Sequence, residues 1–139
     1  YITIPEKFFP LNNDKINDLK DKTLINLTGM TNTDLKLKYG ILNFKKLSEY
    51  DDNFTTLVKA IALIGHNLLE HKDIEDATTF LEYGISIKSD ISSNYIDLAI
   101  IYASGDRKDQ IAVLKEQALT LKSLSRDSIV SQLDAIMKK

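Results

Sequence analysis

Between residues 58 and 125 apolar and polar positions follow a helical period, and the same pattern is written twice. Ile61, Ile64, Gly65, Leu68, Ala77, Leu81, Gly84 and Ser89 recur as Tyr95, Leu98, Ala99, Tyr102, Ile111, Lys115, Ala118 and Ser123, each pair 34 residues apart. Each copy predicts a helical hairpin with small residues where two helices must touch. In the first, residues 54–70 form a helix whose apolar positions, from Leu57 and Val58 through Leu68 and Leu69, nearly encircle it. Such a helix is expected between layers, as the central element of a stack. His71-Lys72 predicts a turn, and Asp73 a cap for a helix over residues 74–88. In the second, a helix over 94–103 leads through Ser104-Gly105-Asp106 to one over 110–124 capped by Asp109. Asp127 is the expected cap of a last helix carrying Ile129, Val130, Leu133, Ile136 and Met137. Lys138 and Lys139 end it with the sign that its dipole favours.

Upstream the pattern is less regular. Pro5 and Pro10 bias residues 1–13 to an extended arm, whose Phe8 and Phe9 need cover. Ile16 and Leu19 suit a short helix over 14–22, while 23–30 is ambiguous and ends at Gly29. Leu35, Leu37, Ile41, Leu42, Phe44 and Leu47 predict a helix through Tyr50, interrupted by Gly40. Asp51-Asp52-Asn53 is expected to break the chain and cap the helix beginning at Phe54. Helical hairpins repeated at a fixed period point to a stacked helical repeat.

The double pattern resembles the tetratricopeptide repeat. Numbered from Val58 and Ser92, the first copy supplies Ile61, Ile64-Gly65, Leu68, Ala77, Leu81 and Gly84, and the second Tyr95, Leu98-Ala99, Tyr102, Ile111 and Ala118. Lys115 and Ile111 depart from the family pattern, with Leu114 available beside the former, and Ser89 and Ser123 stand where the family often has Pro. Ile129 and Leu133 extend the register into a capping helix, and Leu27, Met30 and Leu47 fit a partial third copy beginning at Leu24. The resemblance implies an all-α, right-handed stack of antiparallel helix pairs with an extended N-terminal arm. Residues 1–139 then form a single domain: arm 1–13, N-terminal helices 14–57, repeats 58–91 and 92–125, and capping helix 126–139. It also implies a concave groove lined by the leading helices, at Lys59, Ala62, His66, Leu69 and Glu70, then Ser93, Ile96, Ile100, Ala103 and Ser104, with Leu63 and Asp97 beside them. Only Lys59 there is basic, and Ala62 and Ile96 do not suit the family's carboxylate clamp, so recognition of a chaperone tail is excluded.

Composition narrows the function. The charged fraction is 27% with a net charge of -2, and residues 1–53 hold eight basic and eight acidic side chains. Interleaved signs of this kind argue against a nucleic-acid groove or an anionic-membrane patch. Without cysteine there is no disulfide, thiolate nucleophile or Cys-based zinc site. No apolar run approaches the roughly 20 residues needed to span a bilayer. A start at Tyr1 is expected to reflect a removed signal peptide, a membrane anchor or more of a parent chain upstream. Such a tether leaves the chain cytoplasmic or membrane-held, and heavy use of Lys, Ile, Asn and Asp suggests an AT-rich bacterial genome.

Catalytic chemistry finds little support. His66 and His71, the two histidines, are five apart, whereas helical metal pairs are spaced by three or four, and no nearby carboxylate completes a site. Asp73, Glu75 and Asp76 read as a solvated helix start, and Gly105-Asp106-Arg107 lacks the glycines and Lys of a phosphate loop. The tyrosines have no basic stripe beside them for stacking bases. The expectation is a non-catalytic scaffold or adaptor, without metal or cofactor, that holds a helical or extended apolar peptide against Ala62, Leu63, Ile96 and Ile100. Lys59, His66, Glu70 and Asp97 would set its direction. The alternative is a self-associating domain whose groove is filled by its own arm or a second copy.

Overall fold

The computed structural model describes residues 2–5, 14–19, 22–27 and 41–138, and every regular element among them is helical. Helix α1 spans Asp14–Asn17, α2 Ile41–Glu70, α3 Ile74–Ser86, α4 Ser92–Ser104, α5 Lys108–Leu119 and α6 Arg126–Met137. Phe8, Phe9 and Pro10, Gly29 and Met30, and Leu35, Leu37 and Gly40 lie outside the described residues. Contacts divide the chain into two units, Tyr1–Ala60 and Ile61–Lys139, where the sequence reads as one domain.

In the first unit the expected break at Asp51-Asp52-Asn53 does not occur, and α2 runs through it. These residues serve tertiary hydrogen bonds instead of a cap. Leu27 N–H donates to Asp51 Oδ1 at 3.3 Å, and Asn53 Nδ2 donates to the Thr23 carbonyl at 3.0 Å. Ile25 N–H donates to the Tyr50 carbonyl at 3.4 Å, so residues 23–27 lie along α2 without forming the leading helix of a third copy. Ile2 N–H donates to the Leu24 carbonyl, and Ile4 is buried. With Ile16, Leu19, Leu24, Leu27, Phe54 and Leu57 it makes a small apolar core, the part of this unit that hydrophobic burial stabilises.

In the second unit α3, α5 and α6 all pack on α4. Tyr95, Leu98, Ala99 and Tyr102 of α4 meet Ala77, Leu81 and Ile85 of α3, Ile111, Leu114 and Ala118 of α5, and Ile129 and Leu133 of α6 in one core. The central helix is thus the second leading helix, not the first, and α2 is not enclosed on all sides because Leu63 is 56% exposed. Positions 34 apart are buried alike: Ile61, Tyr95 and Ile129; Gly65, Ala99 and Leu133; Ala77 and Ile111; Gly84 and Ala118. Lys115 is the exception that its chemistry demands. It forms an ion pair with Asp134 at 2.7 Å, and the adjacent Leu114 fills the core in its place.

Two glycines set the helix separations. A Cβ on Gly65 would stand 2.5 Å from Leu81 Cδ2, and one on Gly84 would run into Asn94 Oδ1, so α2 meets α3, and α3 meets α4, at residues without side chains. Asn94 is fully buried; its Nδ2 donates to the Leu81 carbonyl at 2.8 Å, while its Oδ1 has no hydrogen-bond partner.

The connections repeat as well. Asp73 N–H donates to the Leu68 carbonyl and Arg107 N–H to that of Tyr102; Lys72 N–H donates to Leu69 and Asp106 N–H to Ala103. Both pairs of bonds are the same bonds moved by 34 residues, and both satisfy the carbonyls left open at a helix end. Farther on, Ser89 Oγ accepts from Ile91 N–H and Ser123 Oγ from Ser125 N–H, each at 3.2 Å. The serines that stand at the family's Pro positions therefore shape both turns. The helix starts differ from expectation. Asp73 precedes α3 without a side-chain cap bond, α5 begins after Arg107, and α6 after Ser125, which puts Asp109 and Asp127 in first turns where their charge meets the dipole.

Candidate functional site

Leu63, His66 and Glu70 lie at three- and four-residue spacings and so share one face of α2. On α4, Ser93, Ile96, Asp97 and Ile100 do the same. One interaction joins the two faces: His66 Nδ1 lies 2.9 Å from Asp97 Oδ2. Its Nε2 lies 3.0 Å from Glu70 Oε1. Asp97 is 6% exposed, whereas the imidazole is half-buried and Glu70 is open to solvent. The hydrogen bond and charge of Asp97 raise the His66 pKa above 6.5, and Glu70 adds to this against a small opposing cost of burial.

Large apolar side chains flank this pair. Leu63 lies one turn before His66, and Ile100, 44% exposed, one turn after Asp97. Beyond Ile100 the surface falls into an open recess of about 400 Å³ lined by Ile100, Ala103, Ser104, Lys108 and Ile136. A second, smaller recess of about 170 Å³ opens over Leu98 and Tyr102 between α3 and α5, with Glu82, Ser86 and Gln117 at its rim. The Arg107 guanidinium covers the Tyr102 ring at 4.7 Å, a cation–π contact that closes one end of α4.

The residues singled out from the sequence separate into groups. Leu63, Glu70, Ser93 and Ile100 are exposed, and His66 stands between exposed and buried. Leu69 and Ile96 are half-buried against the core, and Ala62, 5% exposed, belongs to the core itself. Lys59 is exposed but falls in the first unit. The His66–Asp97 pair escaped the sequence because it joins positions 31 apart, one helical turn short of the repeat. Lys108 and Ile136 were missed too. Extending the 34-residue register into α6 as a face, and not only as a cap, is the signal that leads to Ile136.

The pair has the two groups that orient and charge an imidazole, but both ring nitrogens are occupied by carboxylates. Among the described residues no cluster of three or more His, Asp or Glu is placed to hold a metal ion, and no helix is long and apolar enough to cross a membrane. The chain matches no protein-family model, no curated protein and no solved structure.

Proposed function

We propose that this chain is a non-catalytic interaction domain, a tetratricopeptide-like right-handed stack whose leading helices hold an apolar polypeptide segment. The observation that carries this reading is Ile100, a large apolar side chain left exposed at the rim of a recess shared with Ala103 and Ile136. A side chain of that size at the edge of an open apolar hollow loses contact with water when a partner covers it. The recess is large enough for one or two branched or aromatic side chains, and Ser104 and Lys108 at its edge offer polar contacts to the partner's backbone or a carboxylate. Leu63 extends the apolar surface on α2, while Glu70 and Ser93 supply polar edges. Binding of this kind draws most of its energy from a few anchor residues, which makes Ile100 the decisive one.

The test compares capture of co-purifying proteins by wild type, Ile100→Asp and Leu124→Asp under identical conditions. Leu124 is fully exposed and lies in the α5–α6 connection. Loss of capture with Ile100→Asp but not with Leu124→Asp supports the reading, and unchanged capture with Ile100→Asp contradicts it. Sedimentation at several concentrations identifies the alternative, in which a second copy of the chain is the occupant.

A further inference from the structure

The two ring nitrogens of His66 face two carboxylates, Asp97 of α4 and Glu70 of its own helix, at 2.9 and 3.0 Å. A carboxylate only accepts, so both contacts are hydrogen bonds only when both nitrogens carry protons. Asp97 and Glu70 are the charged groups that bear on the ring from the two helices it joins. Leu63 and Ile100 sit one turn to either side of this link, on the same two helices.

We propose that His66 is a proton-operated clasp: as imidazolium it ties α2 to α4 beneath the Leu63 and Ile100 surface, and as neutral imidazole it lets Glu70 go and loosens the tie. The remaining proton stays on Nδ1, because Asp97 is buried and has the most to lose from an absent donor. Nε2 then turns a lone pair toward the Glu70 carboxylate, and that contact becomes repulsive. The bond to Asp97 persists but changes from charge-assisted to ordinary. Because the folded state raises the His66 pKa, the stabilisation is complete below 6.5 and is lost as pH rises through the raised value. The change therefore falls close to neutral pH, where histidine serves as a switch. The clasp is a property of the free chain. It goes beyond the proposed binding role, and each can fail without the other.

The experiment is an NMR titration of the His66 ring in the full chain, with its signals assigned from the spectrum of His66→Gln. The expected midpoint lies above 6.5; it moves down in Asp97→Asn and by a smaller step in Glu70→Gln. The thermal midpoint of wild type is expected to fall between pH 6 and pH 8 by more than that of His66→Gln. A wild-type midpoint at or below 6.5, or one that Asp97→Asn leaves in place, overturns the clasp. Should Asp97→Asn not fold, Glu70→Gln decides alone, since its site is exposed: a midpoint that does not fall contradicts the proposal.

Discussion

Lys72 and Asp106 stand 34 residues apart and both adopt the left-handed backbone conformation, with φ of 63° and 58°. Each closes the end of a leading helix, where glycine is the usual residue because any Cβ is strained there. Aspartate tolerates this conformation better than lysine. Lys72→Gly is therefore expected to stabilise the fold by about 0.5–1 kcal/mol, and Asp106→Gly by less. Denaturant unfolding of the two variants beside wild type checks the order. A loss of stability in Lys72→Gly would mean that the turn is held by its side chain and not by its backbone.

The approach of α3 to α4 rests on Gly84 and Asn94. Gly84→Ala would drive a methyl group into Asn94 Oδ1 in a site with no room, an overpacking that costs about 1–3 kcal/mol. Asn94→Ala vacates that space but gives up the 2.8 Å bond to the Leu81 carbonyl. In the Asn94→Ala background, the Gly84→Ala change is expected to cost markedly less. A double-mutant cycle measures the coupling, and strict additivity would mean that the two residues do not meet.

Tyr95 donates its hydroxyl to the Ser89 carbonyl at 2.8 Å inside the core. Burial, with help from Asp90, pushes its pKa up to about 12, and burial pushes Tyr83 up to about 12 as well. A folded-state pKa above the unfolded one means that stability is intact below pH 10 and is lost as pH rises toward 12. Alkaline unfolding is therefore expected to set in above pH 10, and Tyr95→Phe to remove part of that dependence. Phe also forfeits the hydrogen bond, at about 0.5–1.5 kcal/mol near neutral pH. Circular dichroism across the alkaline range reads both effects.

Lys115 and Asp134 make an ion pair whose side chains are each more than a third exposed. Solvent screens such a pair, and Lys115→Ala is expected to cost no more than about 1 kcal/mol, less in high salt. Leu114→Ala beside it should cost about 2–5 kcal/mol, because Leu114 is the side chain in the core. Similar costs for the two would place the wrong residue inside.

Much of the helical order could be read from the chain, and for a specific reason. Gly65 and Ala99, Ala77 and Ile111, and Gly84 and Ala118 are small or apolar because helices meet there, and burial at those positions leaves a spacing in the sequence. Polar residues carry no such mark. Asp51 and Asn53 could cap a helix or bond to a distant backbone with the same atoms, and Leu27 and Thr23 claimed them. Asp109 and Asp127 look like caps but act within first turns. On the candidate face, Leu63 and Ile100 were legible as outward positions, whereas Ala62 proved to be core. The His66–Asp97 contact depends on side-chain reach between two helices, which no period along one chain encodes.

Amide hydrogen exchange at Asp73 and Arg107 tests the repeated nesting most directly. Both amides lie just past the end of a leading helix, and both are bonded back to that helix, at 2.9 and 2.7 Å. If the two hairpins share one mode of packing, both exchange slowly and lose protection together as denaturant is added. Protection at one amide, with exchange at the rate of an open loop at the other, would show that the common spacing does not reflect common structure.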